Sequence, residues 1–305
     1  MGSRNQTISY LTQRFREIGI RPDTRHGQNF LIDLNLLQLL VDAADIGPND
    51  VVLEVGTGTG GLTGRLAERA AQVVTVEIDP HVFELASEEL IDLPNVQMLR
   101  TDALKNKNRF NPELIHAVRE AVEAEPGRRL KLAANLPYNI ATPVLSNLLS
   151  CEVLPVTMTA TIQKELADRI VASPRTKDYS ALSIWMQAQC QIEIVRTLPP
   201  SVFWPRPKVE SAIIHFTIDH ARREAIADLA YLHGFVRALF LHRRKFLRSV
   251  VLAAFKHQLS KPEVDQLMSE MGFQPDTRAE QLDVPTMLAF CEAVRAKAPD
   301  WKLSA

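Results

Sequence analysis

The sequence predicts an α/β fold, in which a parallel sheet is covered by helices, followed by a smaller region of helices alone. Short apolar runs alternate with amphipathic helical patterns over the first 210 or so residues. The runs are apolar at successive positions, which is typical of strands buried on both faces. From residue 221 onward the apolar residues recur only at helical spacing.

The length of the chain predicts two domains. It has 305 residues, more than the roughly 250 to 300 at which single hydrophobic cores stop growing. We therefore expect an α/β domain over residues 1–220, which begins with a basic arm over residues 1–25, and a helical domain over residues 221–305.

The predicted strands are six apolar runs. In chain order they are DVVLEVG (50–56), QVVTVEID (72–79), VQMLRTD (96–102), RLKLAANLPY (129–138), VTMTATIQ (156–163) and VESAIIHFTID (209–219). Helical patterns such as LTGRLAERA and VFELASEEL lie between the earlier runs. Residues 106–129 read as a surface loop with an amphipathic helix, inserted before the fourth strand.

The composition predicts a soluble globular protein in a reducing compartment, the cytoplasm. With 46% hydrophobic and 23% charged residues, the chain has no apolar run near the roughly 20 residues that span a bilayer. A mitochondrial presequence is the alternative for the N-terminus, disfavoured because the segment is short and carries Glu17. Cys151, Cys190 and Cys291 form no C-x-x-C pair, which argues against a disulfide framework or a metal site.

Four glycines directly follow the first predicted strand and precede a helix. They are Gly56, Gly58, Gly60 and Gly61. Glycine permits a sharp turn there and a close approach of a ligand to the backbone. The spacing also matches G-x-G-x-x-G, so a dinucleotide-binding oxidoreductase is an alternative, as is a simple tight turn.

Carboxylates end the next two strands. Glu77 ends the second strand, 21 residues after Gly56, where an acidic side chain can accept hydrogen bonds from both hydroxyls of a ribose. Asp102 ends the third strand. Open α/β sheets bind ligands at this carboxyl edge, so the sequence predicts a nucleoside-binding crevice there.

The segment NLPY (135–138) after the fourth strand indicates chemistry at an adenine amine. That amine is a poor nucleophile, because its lone pair is delocalised into the ring. The Asn135 side-chain oxygen and the Leu136 carbonyl can accept its two N–H hydrogens, and Pro137 fixes the turn that aims them. Tyr138 offers a face on which a flipped base can stack. Such positioning needs neither an acid nor a metal; the alternative is that NLPY only shapes a turn.

Eight motifs occur in the order found in the small-subunit ribosomal RNA adenine dimethyltransferases, the KsgA family. They are HGQNFL (26–31), LEVGTGTGGLT (53–63), VEID (76–79), TDAL (101–104), NLPYNIATPVL (135–145), QKELADRIVA (163–172), FWPRPKVESA (203–212) and HRRKFLR (242–248). The resemblance runs from about residue 20 to 295. It implies a Rossmann-like methyltransferase domain that uses S-adenosylmethionine (SAM) and no metal.

By motif position the resemblance also implies the site residues. The SAM-binding residues would be Asn29, Leu31, Gly56, Glu77, Asp102 and Asn135. The catalytic residues would be Asn135, Leu136, Pro137 and Tyr138, together with Phe203 as a second ring that closes over the target base.

The implied activity is dimethylation of the N6 amine of adenosines in 16S rRNA, two adjacent ones near the 3′ end, during ribosome biogenesis. The implied partner is the small ribosomal subunit, with no membrane partner, and we expect a monomer. One alternative is an erythromycin-resistance methylase, which modifies large-subunit rRNA. Another is a relative that binds nucleic acid without methylating it.

The charges of the C-terminal region are uneven, although the formal net charge of the chain is only -1. Residues 229–262 hold seven Lys or Arg and no acid. We therefore predict that residues 235–255 form one helix that binds rRNA phosphate. Its candidate RNA-binding residues are Arg237, Arg243, Arg244, Lys245 and Arg248. Its core-facing residues at helical spacing would be Phe235, Leu239, Phe246, Val250 and Ala254.

Overall fold

The computed structural model describes residues 8–17, 19 and 28–303. Its strands are β1 (Phe30–Leu31), β2 (Asp50–Val55), β3 (Gln72–Glu77), β4 (Val96–Arg100), β5 (Leu104–Asn106), β6 (Arg109–Phe110), β7 (Arg129–Asn135), β8 (Thr157–Gln163), β9 (Cys190–Leu198), β10 (Phe203–Trp204) and β11 (Ser211–Ile218).

The α-helices lie between and after these strands. They are α1 (Ile8–Glu17), α2 (Leu34–Ala43), α3 (Gly61–Ala67), α4 (Pro80–Leu90), α5 (Pro112–Glu123), α6 (Ala141–Leu148), α7 (Lys164–Val171), α8 (Ala181–Gln187), α9 (His220–Glu224), α10 (Leu229–Phe240), α11 (Leu247–Ala254), α12 (Lys261–Glu270) and α13 (Val284–Lys297). Short 3-10 helices cover Pro200–Val202 and Ala279–Gln281.

A seven-stranded sheet in the order β4-β3-β2-β7-β8-β11-β9 forms the centre of the α/β part. The pairs among β4, β3, β2, β7 and β8 are all parallel. Val51 and Val52 are both fully buried, and neighbouring residues of a strand point to opposite faces, so both faces of β2 are covered. The predicted α/β class is confirmed.

One edge of the sheet differs from the prediction. β11 runs antiparallel to β8, so the expectation of a wholly parallel sheet is wrong there. Ser211 lies opposite Gln163 and Thr217 lies opposite Thr157, so the two strands run in opposite directions along their whole length. β9 itself was not predicted, because the exposed Glu193 and Arg196 interrupt its apolar pattern.

Helix α5 belongs to the core rather than to a surface insertion. The amphipathic helix predicted within residues 106–129 is present, but it contacts β2, β3 and β7. Its apolar stripe is buried at Leu114, Ala117, Val118 and Ala121. The prediction of an inserted surface loop is therefore wrong: α5 is a covering helix of the sheet.

The described part of the predicted basic arm is also packed. Helix α1 buries Leu11 and Phe15 against Phe30, Val82 and Leu85. Arg14 of this helix forms ion pairs with Glu17 and Glu88. The remaining residues of the arm lie outside the described residues.

The chain divides into two compact units. The first comprises the described residues within Met1–Ala167 together with Ile192–Ile218, and the second comprises Asp168–Gln191 together with the described residues within Asp219–Ala305. Unlike the predicted division at residue 220, the second unit takes in α8, because Tyr179 and Ile184 pack in one cluster with Phe235 and Phe290.

The basic segment of the second unit is two helices and not one. α10 ends at Phe240, α11 begins at Leu247, and residues 241–246 form a turn between them. Phe235, Leu239 and Val250 are buried as predicted. Ala254 is partly buried and packs against the same core, as predicted. Phe246 is exposed; its predicted core position is wrong because the turn breaks the helical register.

No helix among the described residues is long and apolar enough to cross a membrane.

Candidate active site

A pocket opens where β2, β3 and β7 end, at the carboxyl edge of the sheet. It brings together all six residues predicted to bind SAM: Asn29, Leu31, Gly56, Glu77, Asp102 and Asn135. Pro137 also lines it. Of the motif HGQNFL, the first two residues lie outside the described residues.

The glycine loop packs against two other motifs. Gly56 has φ +87°, and a Cβ there would meet the Pro137 ring at 3.3 Å. Gly58 has φ +56°, and a Cβ there would lie 3.2 Å from the Phe30 ring. Both positions thus combine left-handed backbone with a close protein neighbour. Glycine is needed here for the loop to approach the NLPY turn and the QNFL segment.

Glu77 is buried and holds the loop from the side. Its Oε2 accepts from Gly58 N and its Oε1 from Asp79 N, both at 3.0 Å. Burial raises the pKa of Glu77, and the two backbone hydrogen bonds oppose that shift. Each carboxylate oxygen has a second lone pair, so the side chain can still accept from a bound hydroxyl.

Glu54 is a second pocket carboxyl that the sequence analysis did not single out. It is 1% exposed, and its Oε2 accepts from Thr63 Oγ1 at 2.6 Å and Thr75 Oγ1 at 2.7 Å. Burial raises the pKa of Glu54 to about 8. The signal was available, since an acid inside the apolar run DVVLEVG stands directly before the glycine loop.

Asn135 holds the N-terminal motif and leaves one acceptor unused. Its Nδ2 donates to Asn29 O at 2.8 Å. Because a carbonyl can only accept, this bond fixes which end of the amide is nitrogen. Within the part of the chain that the structure describes, Asn135 Oδ1 is buried without a hydrogen-bond partner. An unpaired buried acceptor is unfavourable, by roughly 1–3 kcal/mol.

Asp102 lies at the open side of the pocket. Its carboxylate is exposed, and its Oδ1 accepts from Leu104 N at 2.9 Å. Ile78 lines the same pocket and is 49% exposed. Ile78 was not predicted as a site residue, although an apolar residue that follows Glu77 at a ligand-binding edge is a signal for contact with a base.

Tyr138 is half-buried beside the pocket, and its hydroxyl shares a 2.5 Å hydrogen bond with Ser211 Oγ. Burial raises the pKa of the Tyr138 hydroxyl. Leu136 is buried, and its N donates to Thr161 O at 3.1 Å. These bonds tie the NLPY turn to β8 and β11. Ser211 lies in the motif FWPRPKVESA but was not predicted to contact Tyr138.

Phe203 does not present a ring face to the pocket. It is 2% exposed, pairs with Leu31 through β10 and β1, and packs in the cluster that contains Leu37 and Ile213. Its predicted role as a ring over the target base stays a prediction. The neighbouring Trp204 is partly exposed and lies near Phe15 and Phe30.

The predicted RNA-binding residues have different surroundings. Arg237, Arg244 and Lys245 are exposed. Arg243 Nη1 donates to Lys177 O at 2.8 Å and to Tyr179 O at 3.2 Å. Arg248 forms a two-point ion pair with Asp265, in which Nη2 donates to Oδ2 at 2.9 Å. Arg243 therefore holds the turn, and much of the charge of Arg248 is compensated.

Neither unit, over its described residues, contains three or more His, Cys, Asp or Glu arranged to hold a metal ion.

Comparison with known sequences identifies relatives along most of the chain. The family model for ribosomal RNA adenine dimethylase matches residues 21–294. A protein of Lactiplantibacillus plantarum named ribosomal RNA small subunit methyltransferase A is 38% identical over 90% of this chain and 91% of its own. A protein of the same name from Caldanaerobacter subterraneus is 38% identical over 88% of this chain and 95% of its own.

Two solved structures share the fold. A dimethyladenosine transferase from Plasmodium falciparum has a TM-score of 0.73 at 23% identity, covering 89% of this chain and 98% of its own. The 23S rRNA methyltransferase ErmE has a TM-score of 0.59 at 23% identity, covering 87% and 99%. At these identities the likeness concerns the fold alone. With the family model and the curated relatives, the resemblance drawn from the eight motifs is confirmed: the chain belongs to the ribosomal RNA adenine dimethylase family.

Proposed function

We propose that the protein transfers methyl groups from SAM to the N6 amine of adenosines in the 16S rRNA of the small ribosomal subunit, and that it dimethylates two adjacent adenosines near the 3′ end. The observation that carries the proposal is the unpartnered Asn135 Oδ1 at the rim of a nucleoside-sized pocket. An N–H donor is what this oxygen lacks, and an adenine amine supplies one.

The pocket fits SAM by the chemistry of its lining. Glu77 carries spare acceptor capacity for two ribose hydroxyls, and the partly exposed Ile78 offers an apolar face to an adenine. The exposed carboxylate of Asp102 suits a ligand with cationic groups. When bound, SAM supplies an electrophilic methyl group.

The chain's own residues position the amine. Asn135 Oδ1 and the Leu136 carbonyl accept its two hydrogens, which favours a more tetrahedral and more nucleophilic nitrogen. Pro137, whose ring lies 3.3 Å from where a Cβ on Gly56 would be, fixes both acceptors relative to the cofactor loop. Tyr138 stacks the flipped base, and its bond to Ser211 limits rotation of the ring. Catalysis arises from orientation and requires no metal.

The second unit supplies sequence-independent affinity for rRNA. Arg237, Arg244 and Lys245 are exposed and suited to phosphate. Arg243 and Arg248 act differently, because the first supports the turn and the second is paired with Asp265. The names of the curated relatives favour the small subunit over the large-subunit alternative. We place the protein in the cytoplasm, as a monomer acting on the small subunit.

Mass spectrometry of methylated nucleosides tests this proposal. The protein is incubated with isotopically labelled SAM and either unmethylated small subunits or naked large-subunit rRNA. We expect labelled N6,N6-dimethyladenosine in the small-subunit rRNA alone. Label in the large-subunit rRNA would instead support the erythromycin-resistance type of activity, and label in neither would favour a binding protein. The variant Asn135→Ala is the matched control for contaminating methyltransferases.

A further inference from the structure

The turn between α10 and α11 carries an exposed aromatic ring. Phe246 directly precedes α11 and is 47% exposed. The guanidinium carbon of Arg278 lies over this ring, 5.8 Å from its centroid. A single exposed apolar side chain is ordinary on a protein surface, so the ring alone identifies no partner. Its surroundings are more specific.

The turn is strongly basic. Residues 241–246 contain three Lys or Arg and no acid. Arg243 is engaged with backbone carbonyls, whereas Arg244 and Lys245 are exposed. Asp265, which follows the acid-free stretch, pairs with Arg248 rather than with these two residues. The surface beside the ring therefore complements a polyanion.

Backbone hydrogen bonds fix the segments that carry Phe246 and Arg278. Leu247 N donates to Thr277 O at 2.7 Å, which fixes the start of α11 beside the residue before Arg278. Lys245 N donates to His242 O at 2.8 Å and closes the turn. A preorganised site of this kind loses less conformational entropy on binding.

We propose that Phe246 and Arg278 form a stacking site for an unpaired nucleotide of RNA, with Arg244 and Lys245 binding the adjacent phosphates. That the polymer is RNA rests on the proposed function. Bases of an A-form duplex are stacked and paired, so the ring can accept only a base from a loop, bulge or strand end. Aromatic stacking is tolerant of base identity, so the site adds affinity and position rather than sequence specificity.

Binding measurements with the full-length protein test the stacking site. The probes are a short single-stranded RNA and the same RNA as a duplex. Phe246→Leu keeps an apolar side chain but removes the ring, and it should weaken single-strand binding roughly 5- to 100-fold, with duplex binding unchanged. Phe246→Trp should retain binding. The tryptophan at this position adds fluorescence that the wild type lacks, and bound RNA should quench that additional fluorescence. Leu241→Ala is the matched control, because Leu241 is 69% exposed in the same turn.

Equal single-strand affinity for Phe246→Leu and the wild type would overturn the stacking site. A loss of single-strand affinity in Leu241→Ala as large as that in Phe246→Leu would also overturn it. The turn would then bind RNA through its general apolar surface and not through stacking on the Phe246 ring. Failure of the proposed function is distinct: the wild type would not methylate small-subunit adenosines. If only the stacking site is wrong, the wild type still methylates small-subunit adenosines, and the Phe246 variants bind single-stranded RNA as tightly as the wild type does.

Discussion

The Asn135 amide has a structural role through its nitrogen and a proposed catalytic role through its oxygen, and substitutions can test the two separately. Its Nδ2 holds Asn29 O, while its Oδ1 is buried without a partner. We predict that Asn135→Ala lowers the rate of methyl transfer by on the order of 100-fold, as for loss of one preorganised transition-state contact. RNA binding should change little, because orientation of the amine matters in the transition state. Single-turnover rates and subunit binding measure the two effects.

Asn135→Asp is the matched variant for that test. It keeps an acceptor oxygen but loses the donor to Asn29 O, so it should retain more activity than the alanine variant. An alanine variant that transfers methyl groups at the wild-type rate would remove Asn135 from the mechanism.

Glu77 should determine SAM affinity. We predict that Glu77→Ala weakens SAM binding by roughly 1–3 kcal/mol, because ribose hydroxyls lose their acceptor in a partly buried site. Part of this loss arises because the substitution also removes the hydrogen bond that Glu77 accepts from Gly58 N. Titration calorimetry measures the affinity. Glu84→Ala, an exposed glutamate of α4, is the control and should bind SAM normally; unchanged affinity in Glu77→Ala would contradict the assignment.

Glu54 should make stability depend on pH. Burial raises the folded-state pKa of Glu54 from its ordinary value of 4.5 to about 8, so the folded protein binds the proton more tightly than the unfolded chain does. The stabilising contribution is complete below about pH 4.5 and is lost as the pH rises through about 8. Glu54→Gln should therefore flatten the decline in unfolding free energy between pH 5 and 8. Urea unfolding of the wild type and of Glu54→Gln across this pH range measures the effect. Identical dependence of the unfolding free energy on pH in the two proteins would refute the raised pKa of Glu54.

Residue by residue, the chemistry of the site was more predictable than the exposure of its side chains. Gly56, Glu77, Asp102 and Asn135 lie at or just after strand ends, and strand ends of a parallel sheet meet at one edge. The burial of Phe203 depends on the pairing of β10 with β1, two-residue strands far apart in sequence. No local pattern encodes such a long-range contact.

Helix α5 should behave as a core element. We predict that Leu114→Ala destabilises the protein by about 2–5 kcal/mol, because it removes a fully buried side chain and leaves a cavity. Glu123→Ala, an exposed position of the same helix, should change stability by less than about 0.5 kcal/mol. Urea unfolding of both variants measures the difference. Equal, small effects of the two substitutions would show that residues 106–129 are a surface insertion and not part of the core.

Among elements, strands buried on both faces were predictable and tertiary breaks were not. β2, β3, β7 and β8 are buried at successive positions, whereas β9 carries exposed charges and was not predicted. Residues 241–246 contain no glycine or proline, so the sequence gives no local signal for the break between the two helices. It is held by Arg243, which donates to carbonyls of Lys177 and Tyr179 some 60 residues earlier. Such contacts exist only in the folded chain.

At the scale of the molecule, the proposed methyl-donor site and the proposed phosphate-binding residues lie in different units. The lining of the pocket belongs to the first unit, whereas Arg244 and Lys245 belong to the second. Substitutions at sites that share no interaction partners usually have independent effects. SAM affinity and rRNA affinity should therefore vary separately.

A salt series tests this independence. We predict that Arg244→Ala combined with Lys245→Ala weakens small-subunit binding and reduces the slope of log affinity against log salt by about 1.4 to 1.8, since each lost phosphate contact accounts for roughly 0.7 to 0.9. SAM affinity should stay at the wild-type value. Arg248→Ala is the comparison: Asp265 already compensates its charge, so its slope should change less than that of the double variant. A double variant with the wild-type slope and affinity would show that the turn between α10 and α11 is solvated surface, and that rRNA binds elsewhere.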